Sequence, residues 1–286
     1  MVNEEAANMR KINIRKRLSK LPLLFVLTVA ALVWLLPMYT MVANSLKTAR
    51  EISRAQYYLP PRGLELQNYV TAFSILQQGL LNSLLVSLPT TLIAVFLGSW
   101  AGFFLSRMRF KYSQTIFFAT TIATFLPYQV VLFPLTKLLV TLHVINTRPG
   151  LILAYLILNT PMAMLITATF FEMIPVELQE AAGLDGCGPI TFYWRILLPV
   201  GRLAIISTAI LIFTFVWNDF LIAMAMTQGP LAQMATPVLA GLKGNYAQVW
   251  HIQMAGAMIT SVPPLLIFIF LGRYFVSGLM AGTLKG

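Results

Sequence analysis

Long uncharged apolar runs alternate along this chain with short polar segments, and their spacing predicts the elements. The run from Leu21 to Leu46 predicts a first helix near 21–43. It exceeds the apolar region of a secretory signal peptide, which is about 7–15 residues, so it is read as a retained span. Lys47 to about Gln78, with Pro60-Pro61 and several charges, reads as a polar external loop, and the apolar block at about 82–105 as the second helix. Residues 112–136 form the third, with Pro127 and Pro134 placed to kink it. The fourth, 149–171, lies between Arg148 and Glu172 and carries Asn159-Thr160-Pro161 near its middle. The fifth runs from about Leu203 to Met224 and meets Trp217-Asn218-Asp219 in its outer half. A segment at about 226–252 containing Gly229-Pro230 precedes the sixth helix, about 254–276. Crossing a hydrocarbon layer takes about 20 apolar residues, which each run supplies.

One interruption has its own internal pattern. Pro175 suits a first helical position, where its missing N–H costs nothing. After it, Val176, Leu178, Ala181, Ala182 and Leu184 are expected to line one side of a short helix, with Glu177 and Glu180 on another. Gly186 and Gly188 permit a sharp turn, and Pro189 can open a second short helix. Such an amphipathic helix offered to water beside a membrane would make a docking knob.

Composition supports a membrane-embedded chain. Of 286 residues, 58% are hydrophobic and 10% charged, against about 25% charged in soluble domains. The excess of 20 Lys+Arg over 9 Asp+Glu forms no basic face for nucleic acid; it gathers at the ends of apolar runs, where it orients helices. With six spans and both termini cytoplasmic, 13 of the basic residues fall inside and 7 outside. Both ends inside is therefore the expected topology. The single Cys187 excludes an internal disulfide and reads as a small loop residue. No repeat or low-complexity segment divides the chain.

Catalytic signatures are missing from the sequence. It contains no G-x-x-x-x-G-K-[ST] phosphate loop, no H-E-x-x-H, no C-x-x-C and no G-x-S-x-G, and His143 and His251 lie far apart. We expect no catalytic residues, no metal site and no cofactor bound by this chain. If ATP drives it, another polypeptide binds the nucleotide. An ionisable group within a span is a functional-site hypothesis by default, and Asp219 is the main one. With Asn218 and the Trp217 ring it could line a transport path; alternatively Asp219 reaches interfacial water and Trp217 joins an aromatic belt. Asn159 could hydrogen-bond a hydroxylated substrate or bridge helices. A proton-coupled transporter would show more intramembrane acids or histidines. Gly98 and Gly102 make a small-residue face that would let another helix approach, or are merely tolerated there.

Glu180-Ala181-Ala182, then Gly186 four residues after Ala182, then Ile196-Leu197-Leu198-Pro199 ten residues beyond that glycine, resembles the cytoplasmic loop of permease subunits in ATP-binding-cassette (ABC) importers. Asp185 and Phe192 fit as well. Asn44-Ser45-Leu46-Lys47, Asn82-Ser83-Leu84, Ala101-Gly102, Arg107-Met108-Arg109-Phe110, Trp217-Asn218-Asp219-Phe220 and the tail from Phe275 to Gly286 are similar to the carbohydrate branch related to the maltose system, in particular its shorter permease. Residues 21–286 are mostly covered. The resemblance implies an all-α membrane protein with the six-helix type I ABC importer permease fold, in the plasma (inner) membrane of a prokaryote. It divides the chain into a basic cytoplasmic segment 1–20, the first helix and external loop 21–75, a core 76–276 containing the coupling loop 173–202, and a cytoplasmic tail 277–286. It implies a second homologous permease, an ABC ATPase dimer holding ATP and magnesium, an external solute-binding protein and a sugar substrate as partners, with the lipid bilayer around them and no nucleic acid. Glu180, Ala181, Ala182, Asp185 and Gly186 would couple to the ATPase, and Thr283, Leu284, Lys285 and Gly286 could dock there too. Cys187 and Gly188 depart from the usual residues and suggest a looser turn. The rival expectations are an ABC permease for glycerol phosphate, a polyamine or an amino acid, and a membrane enzyme or scaffold.

Overall fold

The computed structural model describes residues 20–108, 110–242 and 249–281, with side chains in the last helix described through Tyr274. Every regular element among them is helical. In chain order they are α1 Leu21–Ser45, α2 Ala49–Ser53, α3 Gln67–Arg107, α4 Ser113–Thr124, α5 Tyr128–Thr141 and α6 Arg148–Glu172. Then come α7 Val176–Leu184, α8 Pro189–Val200, α9 Arg202–Asn218, α10 Leu221–Met226, α11 Ala235–Gly241 and α12 Trp250–Ala281. Four of these are long and apolar enough to cross a membrane (α1, α3, α6 and α12), and the bent pairs α4/α5 and α8/α9 bring the number to six if each is one span.

Two expected helices are broken. The third separates at Phe125 to Pro127 into α4 and α5, which meet at 102°. Pro127, with ψ 117°, caps α5 and cannot donate an N–H to the turn before it. Pro134, by contrast, is accommodated within α5. The fifth stops at Asn218 because Asp219 is extended (ψ 135°), and the chain restarts as α10. The polar loop expected between Lys47 and Gln78 contains α2 and the first turns of α3, which begins at Gln67 and continues for 41 residues. At 1.5 Å per residue that is about 60 Å, twice the thickness of a hydrocarbon layer.

The chain divides into two compact units. One holds the described parts of Met1–Ala72 and Gly244–Met258. Within it α1 leaves its side chains exposed from Leu21 to Met38, whereas the turn after it is tightly bonded. Lys47 is fully buried; its Nζ donates to Asn44 Oδ1 at 2.8 Å and to the carbonyls of Gln56 at 2.6 Å and Tyr57 at 3.1 Å. Burial lowers its pKa, and the charge of Glu51 opposes that shift. Glu51 completes a capping box with Thr48 and also accepts the Arg62 N–H at 3.0 Å. Backbone N–H groups from Thr48 and Arg62 hold its carboxylate below the usual range. Asn68 ties α3 into the same turn through the carbonyls of Ser45 and Lys47, both at 2.9 Å.

The other unit holds Phe73–Lys243 and Ile259–Gly286, as far as they are described. Its core joins Val86, Ala94 and Val95 of α3, Leu135 and Leu139 of α5, and Ala154 and Tyr155 of α6 to α9 and α10. Gly98 and Gly102 are where α3 meets α6 closely: a Cβ on Gly98 would lie 2.6 Å from Ala163 Cβ, and one on Gly102 2.8 Å from Thr167 Oγ1. A second cluster gathers Phe103, Phe171, Ala182, Phe192, Tyr193 and Leu197, with the Tyr193 hydroxyl 2.8 Å from Ser99 Oγ. The turn Tyr193–Leu197 is wound as a π-helix, with the Leu198 N–H reaching back to the Tyr193 carbonyl.

Candidate functional site

Two features collect the residues singled out from the sequence. The first is the turn between α6 and α9. Pro175 stands as the cap before α7, one position earlier than expected. Asp185 ends the helix, and Gly186, at φ +75°, takes the left-handed conformation for which glycine has no steric penalty. The Gly186 N–H bonds the Gly183 carbonyl at 3.0 Å and the Cys187 N–H bonds that of Ala182 at 2.9 Å. These are the two bonds of a Schellman ending, so the turn is closed rather than loose. Gly188 is extended (φ −69°, ψ 165°) and leads into Pro189 of α8.

The apolar residues of α7 do not form a single face. At 100° per residue Val176, Leu184, Ala181, Leu178 and Ala182 spread over about 240° of the helix, with Glu177 and Glu180 among them. Accordingly only Ala182 of these is buried, on the Phe103 and Phe192 cluster. Val176 and Leu178 stay exposed, and Leu184 at the tip is 90% exposed. Glu180, Ala181 and Asp185 also face outward, and Cys187 packs partly beneath.

Arg107, read from the sequence as a topology-marking charge and as part of the Arg107-Met108-Arg109-Phe110 resemblance but given no role, joins this feature. Its Nε donates to the Phe171 carbonyl at 3.0 Å, and Nη2 donates to the carbonyls of both Phe171 and Ile174. Its neighbour Met108 receives the Gln179 amide of α7, at 3.9 Å to sulfur. No spacing rule picks out this arginine; the contact depends on where α6 ends.

The second feature is a cavity of about 780 Å³. Both helix breaks open onto it: Leu126 and Tyr128 from the α4/α5 corner, Asn218, Asp219 and Phe220 from the α9/α10 junction. Backbone that leaves the helix at membrane depth is tolerated where it lines such a space. Tyr155 and Asn159 contribute from α6. Asp219 Oδ1 accepts the Tyr155 hydroxyl at 2.8 Å and the N–H groups of Ile222 at 2.9 Å and Ala223 at 3.1 Å, so the carboxylate caps α10 while standing on the cavity wall. Asn159 donates to the Tyr155 carbonyl at 2.8 Å. Trp217 points elsewhere: it is 2% exposed, stacks on Phe213 at 5.5 Å and donates Nε1–H to the Thr260 carbonyl at 3.0 Å. A helix turns successive side chains by about 100°, which separates Trp217 from Asn218. Thr283, Leu284, Lys285 and Gly286 lie outside the described residues.

Comparison with known proteins agrees with this architecture. The chain is 32% identical to the glucose import system permease protein GlcU of Saccharolobus solfataricus, over 89% of this chain and 91% of that one. It is 30% identical to the probable starch degradation products transport system permease protein AmyC of Thermoanaerobacterium thermosulfurigenes, over 97% and 100% respectively. In fold it matches a chain of a bacterial ABC transporter that imports the acidic polysaccharide alginate, with a TM-score of 0.76 and 17% identity, over 91% of this chain and 97% of that one. Residues 94–280 match the family described as binding-protein-dependent transport system inner membrane component. The chain belongs to that family and is an integral-membrane permease subunit of an ABC importer.

Proposed function

We propose that this subunit carries a sugar or oligosaccharide inward across the plasma membrane, driven by ATP that a separate pair of ATPase subunits hydrolyses. The observation that carries the substrate class is similarity over nearly the whole chain to a glucose import system permease and to a probable starch degradation products transport system permease. The cavity suits such a cargo: amide, carboxylate and hydroxyl groups stand beside the apolar surfaces of Phe215, Phe220 and Met162, the mixture that orients a polyhydroxylated ring. Asn159, Asn218 and Asp219 then lie on the path, with Trp217 supporting α9 from behind.

In this reading the partners are a second homologous permease, an ATPase dimer holding ATP and magnesium, and an external solute-binding protein. The segment Glu180 to Gly186, exposed except at the buried Ala182, contacts the ATPase, Leu184 leading. A tip side chain this exposed, on a turn rigidly closed by Gly186, is what an apolar docking contact requires. Both termini lie in the cytoplasm, where the tail from Thr283 to Gly286 can also reach the ATPase. Binding of ATP draws the ATPases together, and α7 passes the movement to the spans.

The test is purification of the tagged chain from its native membrane in mild detergent, followed by mass spectrometry and a neutral-sugar panel on the co-purified binding protein. The expected result is a second permease, one ATPase and a sugar that protects the binding protein against heat. Reproducible recovery of the folded chain alone would overturn the proposal.

A further inference from the structure

We infer that Arg107 is the positioning residue that fixes α7 to the paired helices α3 and α6, so that a displacement of α7 is delivered to both spans together. The inference rests on α7 being the ATPase-contacting element proposed above. Between Phe171, in the last turn of α6, and Pro175, the cap of α7, the chain makes an elbow. The final carbonyls of a helix have no partner within it. Phe171 offers one, which the Ile174 N–H also approaches at 3.1 Å, and the Ile174 carbonyl lies on the far side of the elbow. Arg107 takes both carbonyls with one planar guanidinium. A rigid fork bonded on either side of a bend opposes opening of that bend, and its positive charge is favourable at the C-terminus of α6.

The other end of the joint is equally fixed. Arg107 is the last residue of α3, and α3 is locked to α6 along Gly98 and Gly102, where the backbones approach so closely that an added Cβ would lie 2.6 Å from Ala163 Cβ or 2.8 Å from Thr167 Oγ1. The remaining ties of α7 to these helices are weaker: the small Ala182 side chain on the aromatic cluster and the Gln179 amide on Met108 sulfur. Arg107 thus holds the end of α3 to the elbow from which α7 departs, and acts on α7 through that elbow rather than by a bond to it. Lysine would keep the charge and enough donors for both carbonyls, as Lys47 shows, but its flexible stem and non-planar head would hold the elbow less rigidly than the planar guanidinium.

The test uses the importer purified through a tag on this chain, with Cys187→Ala as background. Spin labels at Leu97→Cys on α3 and Glu177→Cys on α7 report the distance between the helices, without nucleotide and with MgATP plus vanadate. A photoreactive amino acid at Leu184 reports contact with the ATPase. With Arg107 present we expect one narrow distance in both states. Arg107→Gln should retain the Leu184 cross-link but raise the population outside the main distance about tenfold, within the range by which single substitutions alter coupling networks. Arg107→Lys should fall between the two, and it carries the test if the glutamine variant does not assemble. Wild-type distance distributions in both variants, with the cross-link intact, would overturn the inference. Absence of the cross-link in the Arg107 protein would instead overturn the docking role of α7.

Discussion

Asp219 has two tasks that substitution can separate. Its Oδ1 caps α10 and receives the Tyr155 hydroxyl, and its charge faces a cavity proposed to hold sugar. Asparagine preserves the acceptor oxygen and removes the charge; alanine removes both. Asp219→Ala should therefore lower stability by about 1 kcal/mol, the ordinary loss of a helix cap, while Asp219→Asn should melt close to the parent in a thermal scan of the purified complex. Both should weaken uptake, because a hydrogen bond between a carboxylate and a sugar hydroxyl contributes about 1.5–3 kcal/mol, or about 10- to 100-fold in apparent affinity. Equal uptake by parent and Asp219→Asn would leave Asp219 as a cap alone.

At the level of elements, the close meeting of α3 and α6 is the feature most sensitive to volume. A methyl group on Gly98 would lie 2.6 Å from Ala163 Cβ and 2.7 Å from the Met164 backbone nitrogen, so the helices must separate. A methyl on Gly183 of α7 meets nothing within 4 Å. Gly98→Ala should thus destabilise the protein by about 1–3 kcal/mol through overpacking, whereas Gly183→Ala should be neutral or gain up to about 1 kcal/mol of helix propensity; melting of the two variants side by side checks the contrast. The same elements mark what the sequence could tell. The cores of the spans were readable because each is an uncharged run near membrane length, and 149–171 differs from Arg148–Glu172 by a single residue at each end. The breaks were readable only in part: the kink placed at Pro127 is found, as a full 102° break, but the one placed at Pro134 is not, since a proline can kink, start or merely interrupt a helix. Pro134 sits inside α5 while Pro127 precedes it. Nor could local pattern foresee that Asp219 would end α9 by bonding the following turn, that Trp217 would face Thr260, or that α3 would begin at Gln67, since each depends on distant packing or on polar residues that form helix equally well.

For the whole molecule, the proposed orientation in the membrane is argued from charge placed around the spans, not from any one contact. Basic residues number 13 in the segments assigned to the cytoplasm and 7 in those assigned outside, and that bias is the ground for the proposed orientation with α7 inside. Two exposed positions read it out: Leu59, 55% exposed in the turn following α2, and Leu184, 90% exposed at the end of α7. In a Cys187→Ala background, an impermeant maleimide added to intact spheroplasts should label Leu59→Cys and spare Leu184→Cys; in inside-out vesicles the pattern should reverse. Labelling of Leu184→Cys from outside would turn the whole chain over and remove α7 from reach of any cytoplasmic ATPase. The side on which this one turn reacts therefore decides whether ATP hydrolysis in the cytoplasm has a mechanical route to the cavity through α7.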